Sequence, residues 1–324
     1  MIYQKYTVMN NTQEYPLITI VTPTYNRGKF IVETVESVLS QSYPNIEYIV
    51  VDDGSTDNTA CILEAYKDRI ILVQQANIGQ VKTLNNVWKH CRGKYIGYLS
   101  SDDLLYPNAI DELVRQIEKD NSFVCVFPDS ELIDVHSKVI KRNICRQFDL
   151  SETLVTQECY IGPGAIFRKD AFELVGGWRE DLRLAPDREF WIRLSSLGRI
   201  EMNQKVLAKY RIHPDSGVVK ETSESVGQEY LRVLDDFYSS NNIPAHLFRR
   251  KNEAYGYAYL LMARNCFRSN NFRRGKELYS IACQLHPAFR SYKFKLRLIR
   301  NVISRPIRIL ISNLKALFAT RRVS

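Results

Sequence analysis

Four short apolar runs rich in β-branched residues recur between residues 17 and 100: LITIVT (17–22), EYIVVD (47–52), RIILVQ (69–74) and YIGYLS (95–100). Each is continuously hydrophobic rather than alternating, the pattern of a strand covered on both faces. The stretches between them, FIVETVESVLSQ (30–41), TACILEAYKD (59–68) and VKTLNNVWKHC (81–91), carry apolar residues at helical spacing. Strands alternating with helices predict an α/β fold, a mostly parallel, Rossmann-like sheet flanked by helices and connected right-handedly. Turn formers at Asp53-Gly54-Ser55 and Asn77-Ile78-Gly79 mark element boundaries, and Pro107 suits the first turn of a helix. Ligands of such sheets bind beyond the carboxyl ends of the strands. The chemically suggestive residues fall there: Pro23, Thr24, Tyr25 and Asn26 after the first strand, Asp52-Asp53 after the second, Asn77 and Gly79 after the third, Asp102-Asp103 after the fourth.

Beyond this frame the pattern is less regular. A strand is predicted at FVCVF (123–127), followed by an irregular polar stretch to about residue 158 and then IGPGAIFRKDAFELVGGW (161–178). In APDREFWIRLSSLG (185–198), Phe190, Trp191 and Leu194 stand at helical spacing behind a Pro-Asp start. From about residue 222 the pattern is wholly helical, and residues 253–288 read as a helical hairpin similar to one tetratricopeptide unit. A single such unit cannot bury its own face, so it is expected to pack on the rest of the chain or on a partner.

Composition excludes several classes. Seven scattered cysteines show neither CxxC nor Cys/His ligand spacing, so no disulfide framework or zinc site is expected, and a reducing cytoplasm fits. No apolar run reaches the roughly 18 residues of a spanning helix, and residues 1–15 form a leader without a secretory apolar region. The net charge of +9 is local: ten Lys and Arg lie in 289–324, which holds no acid, leaving 35 bases against 36 acids elsewhere.

The first turn holds no G-x-G-x-x-G or G-x-x-x-x-G-K-[ST] phosphate cradle. Side-chain carboxylates are the main ligand candidates, and a carboxylate pair meets a pyrophosphate only through a divalent cation, for which Mg2+ or Mn2+ is suited. Taken alone, Asp102-Asp103 could be a solvated turn, Asp187 a helix cap, His213 a loop histidine, and Trp178, Phe190 and Trp191 core residues.

Three segments taken in order, PLITIVTPTYNRGKFIVETVESVLSQSYPNIEYIVVDDGSTDNT (16–59), KYIGYLSSDDLLYP (94–107) and APDREFWIRL (185–194), resemble a family 2 glycosyltransferase of the A-type fold, over roughly residues 16–215. The resemblance implies an inverting, metal-dependent enzyme that moves a sugar from a nucleotide-diphosphate sugar, UDP- or dTDP-linked, to a hydroxyl acceptor. It implies that Pro23, Thr24, Tyr25, Asn26 and Asp53 hold base and ribose, with Asp53 accepting the imide proton. The Asn77–Asn85 region lines the nucleotide pocket, and Lys82 reaches the pyrophosphate. Asp103 binds a Mn2+ or Mg2+ ion and Asp102 faces ribose or a metal-bound water. His213 completes metal or diphosphate binding, and Asp187 is the catalytic base, with Glu189 a weaker candidate. The chain departs from the family pattern at Ser100 and Pro186, where an acid is common. Those two losses are the support for a second reading, a non-catalytic nucleotide-sugar-binding platform that recruits a partner enzyme.

The expected organisation is a leader (1–15), a catalytic domain (16–221), a helical extension (222–288) and a basic amphipathic tail (289–324). The acceptor class is a glycan or lipid-linked intermediate in cell-surface polysaccharide or glycolipid assembly. The tail, in which basic residues alternate with Leu, Ile and Phe, is expected to meet an anionic membrane surface rather than nucleic acid. The expected location is cytoplasmic, peripheral at the inner face of the cell membrane.

Overall fold

A computed structural model of the chain describes residues 15–183, 185–213, 224–241, 243–300 and 302. The leader and most of the tail lie outside the described residues. The order is β1 (Ile18–Thr24), α1 (Ile31–Leu39), β2 (Ile46–Asp52), α2 (Thr59–Glu64), β3 (Ile71–Gln74), α3 (Gln80–Trp88), β4 (Tyr95–Tyr98), β5 (Leu104–Leu105), α4 (Ala109–Ile117), β6 (Phe123–Ile133), β7 (Val139–Lys141), α5 (Leu150–Thr156), β8 (Ile166–Arg168), α6 (Lys169–Val175), α7 (Pro186–Leu194) and β9 (Arg199–Arg211). The helical extension follows as α8 (Ser225–Tyr238), α9 (Ala245–Arg249), α10 (Lys251–Arg268) and α11 (Phe272–Leu285), closed by a 3-10 turn at Pro287–Arg290.

One sheet organises the molecule, in the order β3-β2-β1-β4-β8-β6-β9-β5, with β7 added to β6. The first four of these strands are parallel, because each is reached through a helical crossover. Beyond β4 directions mix: β8 runs against β4 and β6, β6 and β9 are parallel, and β5 runs against β9. Here α4, α5, α6 and α7 lie between the strands, and neighbours in the sheet are not neighbours in the chain, so both directions occur.

Both faces of the sheet are covered. On one, Ile18, Ile20 and Val50 pack with Ile31, Val35 and Val38 of α1 and with Ile110, Leu113, Val114 and Ile117 of α4. On the other, Val21, Ile49 and Val51 pack with Leu84 and Trp88 of α3, Phe172 of α6, and Phe190, Trp191 and Leu194 of α7. Alternate residues of one strand thus serve opposite layers, as a strand buried on both faces requires. β3 differs from expectation. It is the edge strand, and Ile71 is 44% exposed.

The strand expected at 123–127 continues to Ile133. Its second half contains Asp129, Ser130 and Glu131, all buried. Asp129 accepts hydrogen bonds from the Ser130 and Cys145 amides and from Asn143 Nδ2, and Glu131 from the Tyr106 hydroxyl, so the two acids are satisfied inside the sheet.

The helical extension packs on the sheet domain through α5 and α7. Leu154 and Val155 of α5 and Ile192 of α7 meet Val233, Leu234 and Tyr238 of α8, Leu247 of α9, and Ala254 and Ala258 of α10. The α10–α11 hairpin turns at Asn270 (φ 61°) and Asn271, whose side chain accepts from the Arg274 amide. Helix α7 is therefore clamped between the sheet and the extension, which fixes the start of that helix at the edge of the site.

Candidate active site

The carboxyl ends of β1, β2 and β3 are tied into one knot. Asp52 Oδ1 accepts the Ser55 amide at 3.0 Å, closing the turn after β2. Gly54 occupies that turn with φ +78°, and a Cβ there would stand 2.8 Å from the Asn77 amide nitrogen, so glycine is required twice over. Asn26, itself left-handed (φ 53°), receives the Thr56 and Asp57 amides on Oδ1 at 2.7 and 3.2 Å, while its own amide donates to Ser55 Oγ. Asp53 is buried. Its Oδ1 accepts from Gln75 Nε2 (2.7 Å) and the Ile78 amide (3.0 Å), and its Oδ2 accepts from the Gly79 amide (2.9 Å). A carboxylate has about four acceptor positions, so one remains on Oδ2.

At the end of β4 the second acidic pair is arranged differently. Asp103 is 3% exposed, and the one hydrogen bond to its carboxylate among the described residues is from the Arg211 amide to Oδ1 at 2.8 Å. Burial pushes its carboxyl well above the usual carboxylate range, the neighbouring Asp102 adds to this, and Arg211 offsets it in part. Asp102 Oδ2 meets His213 Nε2 at 2.8 Å and lies 3.6 Å from Arg27 Nε. The backbone of the pair is held firmly: Thr34 donates to the Asp103 carbonyl and Arg211 Nε to the Asp102 carbonyl. The Arg211 guanidinium, fully buried over the Phe30 ring, also reaches Glu33, Ser137 and the Asp134 carbonyl.

These residues fit a hard divalent cation. No group of three or more His, Cys, Asp or Glu is placed to hold an ion among the described residues. Mg2+ and Mn2+, however, are commonly held by one or two carboxylates together with substrate phosphates. A buried carboxyl that its own surroundings destabilise as an anion is suited to such a cation, because the cation's charge offsets the desolvation.

Asp187 stands in the first turn of α7, which opens on Pro186. Burial raises its carboxyl, and the Arg188 amide and charge lower it in part. Two phenols bind the two acidic regions into one neighbourhood: Tyr98, at the end of β4, and Tyr210, near the end of β9, are each pushed up by burial, and each feels the charges of both Asp103 and Asp187. Glu189 is differently engaged. Both its oxygens are taken by Arg193, at 2.6 and 2.8 Å, and Arg193 in turn holds the carbonyls of Val175 and Gly177. Of the two acids at this helix start, Asp187 is the one without a paired guanidinium.

Other sequence candidates lie further out. Asn77 and Lys82 are exposed, at the β3–α3 turn and on the first turn of α3. Tyr25 is exposed beside Asn26, Thr24 is buried with its hydroxyl unpartnered, and Pro23 lies within β1. Asn85 gives both its amide functions to the backbone of Trp178, and Trp178 packs edge-on to Trp88 and Tyr98, a core position. Sequence reading missed Arg27, Arg211, Tyr98 and Tyr210. Arg27 directly follows PTYN, and Tyr98 directly precedes the LSSDD turn; position beside a motif was the available signal for both.

The family 2 glycosyl transferase model matches residues 19–176. An uncharacterised glycosyltransferase of Rickettsia prowazekii is 34% identical over 231 residues, 69% of this chain and 71% of that protein. The chain belongs to the family 2 glycosyltransferases. Escherichia coli chondroitin synthase is 32% identical over 72% of the chain but only 34% of its own length. Among solved structures, residues 1–349 of Staphylococcus aureus TarS in complex with UDP-GlcNAc superpose with TM-score 0.66 at 19% identity, covering 89% of this chain and 82% of that one. A mannosyltransferase of Pyrobaculum calidifontis in complex with GDP-Man and Mn2+ gives TM-score 0.60 at 16% identity, covering 92% and 88%. The fold is that of A-type glycosyltransferases, and the chain is a glycosyltransferase by family. No helix among the described residues is long and apolar enough to cross a membrane.

Proposed function

We infer that this glycosyltransferase is metal-dependent and inverting, and that it transfers a sugar from a UDP- or dTDP-sugar to a hydroxyl of a glycan or lipid-linked acceptor in cell-surface polysaccharide or glycolipid assembly. The observation that carries this reading is the buried Asp103 carboxylate, which stands beside Asp102 and receives one hydrogen bond among the described residues, from the Arg211 amide. The relative named chondroitin synthase, and the neighbours holding UDP-GlcNAc or GDP-Man with Mn2+, support a nucleotide-sugar donor.

Asp103 would hold the divalent ion directly, His213 would complete metal or diphosphate binding, and Asp102 would face the ribose or a metal-bound water. When bound there, the ion supplies positive charge to the departing diphosphate. Asp53 offers its remaining acceptor position to an imide N–H, which uracil and thymine present. Pro23, Thr24, Tyr25 and Asn26 flank that position from β1, and Lys82 offers a cation to the pyrophosphate from α3. Asp187 takes the proton of the acceptor hydroxyl as that oxygen bonds to the anomeric carbon and the bond from that carbon to the diphosphate oxygen breaks. Attack on the face opposite the leaving group inverts the centre.

Purified protein is to be incubated with Mn2+ and a panel of UDP-, dTDP- and GDP-sugars, with and without oligosaccharide acceptors, and nucleoside diphosphate release measured. Metal-dependent release from a UDP- or dTDP-sugar is expected. Binding of a nucleotide sugar with no release under any condition would sink the enzymatic reading in favour of the binding platform.

A further inference from the structure

The run 292–300 is helical and presents two apolar faces rather than one. The first face is docked: Phe294 packs on Phe289 with ring centroids 5.1 Å apart, and the fully buried Phe289 is seated against Tyr257 and His286. This fastens the run to the α10–α11 hairpin. The second face is open. Tyr292, Leu296 and Ile299 are 76%, 47% and 52% exposed. They follow one another at spacings of four and three residues, so at 3.6 residues per turn they form a single stripe.

The cations are distributed around that stripe. At the same periodicity Lys295 falls on one flank and Lys293, Arg297 and Arg300 on the other, all exposed, and residues 289–300 contain no acid. A stripe of apolar side chains with a cation on either flank is the arrangement of a helix lying in a bilayer interface. The apolar side chains enter the acyl boundary, while long basic side chains extend sideways to lipid phosphates. Basic side chains near an anionic leaflet are attracted one by one, so four on one short helix reinforce each other. A protein partner would be expected to meet the open stripe with its own apolar groove, but the absence of acids among the nine consecutive exposed or half-exposed positions 292–300 favours a surface that is uniformly negative.

We propose that the open face of helix 292–300 is a docking surface for an anionic lipid membrane, holding the enzyme at the bilayer by a helix that lies on it and does not cross it. The proposal is independent of which donor and acceptor the active site takes. The helix is braced by its inner face against the hairpin, and the hairpin by α10 against the cluster that holds α7. Membrane contact is thereby linked through packed side chains to the part of the molecule that carries Asp187.

The test is vesicle flotation of the full chain with phosphatidylglycerol/phosphatidylethanolamine vesicles and with phosphatidylcholine vesicles. Two variants are compared with the parent: Tyr292→Ser/Leu296→Ser/Ile299→Ser, which keeps every charge, and Lys293→Gln/Lys295→Gln/Arg297→Gln/Arg300→Gln, which keeps the stripe. The parent is expected to float with the anionic vesicles and not with the zwitterionic ones. The serine variant is expected to lose roughly tenfold or more in partitioning, and the glutamine variant roughly 10²-fold on anionic vesicles. Nucleoside diphosphate release in vesicle-free solution should be unchanged in both, since neither alters the active site. Equal flotation of the parent and the serine variant overturns the proposal. So does equal binding of the parent to both vesicle types, or a parent dimer in sedimentation that the serine variant abolishes.

Discussion

The chain carries an Asp-Asp pair at the carboxyl end of β2 and again just after β4, two parallel strands separated only by β1. At 52–53 the carboxylates are held from within: Ser55, Gln75, Ile78 and Gly79 supply four donors, three of them backbone amides. At 102–103 the backbone is held instead, by Thr34 and Arg211, and the buried Asp103 side chain is left with a single amide. The same dipeptide is thus a fastening in one place and an uncompensated charge in the other. The second arrangement costs stability and is useful only if something positive arrives from outside, which is why burial beside a like charge points to a functional site.

The difference is broken most directly by Asp103→Asn, which keeps the side chain's size and its acceptor for the Arg211 amide. A metal charge on the leaving group is worth several kcal/mol, so turnover should fall by roughly 10³-fold or more, and added Mn2+ should no longer raise the melting temperature. The melting temperature of the metal-free protein should be unchanged or higher, because a carboxyl that burial disfavours has been neutralised. A lower melting temperature with turnover intact would place Asp103 among the fastening acids.

Asp187→Asn should cost about 10²–10⁴-fold in turnover, the usual worth of a positioned base. It has a second signature in stability. Burial raises the Asp187 carboxyl, so the native state holds its proton more readily than the unfolded chain does. Wild-type stability is accordingly favoured below the ordinary carboxylate range and declines as pH rises through the raised value. The variant lacks this decline. It should therefore melt higher than the parent at neutral pH, by about 2 °C, and the gap should close as the pH falls toward 4. A variant that melts lower at pH 7 would mark Asp187 as a helix cap.

The parallel half of the sheet was legible because β1, β2 and β4 are buried on both faces and all four of its strands read as unbroken apolar runs. The other half was not. β6 continues through Asp129, Ser130 and Glu131, and β9 through RIEMNQKVLAKYR, where buried polar side chains satisfied by distant partners such as Asn143 and Tyr106 erase the strand pattern. The site followed the same rule. Its acids stand in short motifs and could be found, whereas Arg211 and Tyr210 reach them from β9, more than a hundred positions away, and only the β5–β9 and β6–β9 pairings bring them there. Residue type within a motif also did not reveal division of labour: Glu189, two positions from Asp187, is fully engaged by Arg193, and Asn85 by Trp178.

Asp53→Asn should show the smallest effect on turnover and the largest on the fold. The amide side chain keeps one acceptor oxygen but turns an N–H toward at least one of the donors from Gln75, Ile78 and Gly79, and a buried donor left without an acceptor costs about 1–3 kcal/mol. For a chain of this size that corresponds to a fall in melting temperature of roughly 2–10 °C. The Asn77–Gly79 turn, released from its anchor, should loosen donor binding, so the Michaelis constant for the nucleotide sugar should rise while turnover at saturation stays within roughly tenfold of the parent. If Asp53→Asn instead preserved the melting temperature and abolished turnover, the two Asp-Asp pairs would have to exchange roles, with the chemistry at β2 and the fastening at β4.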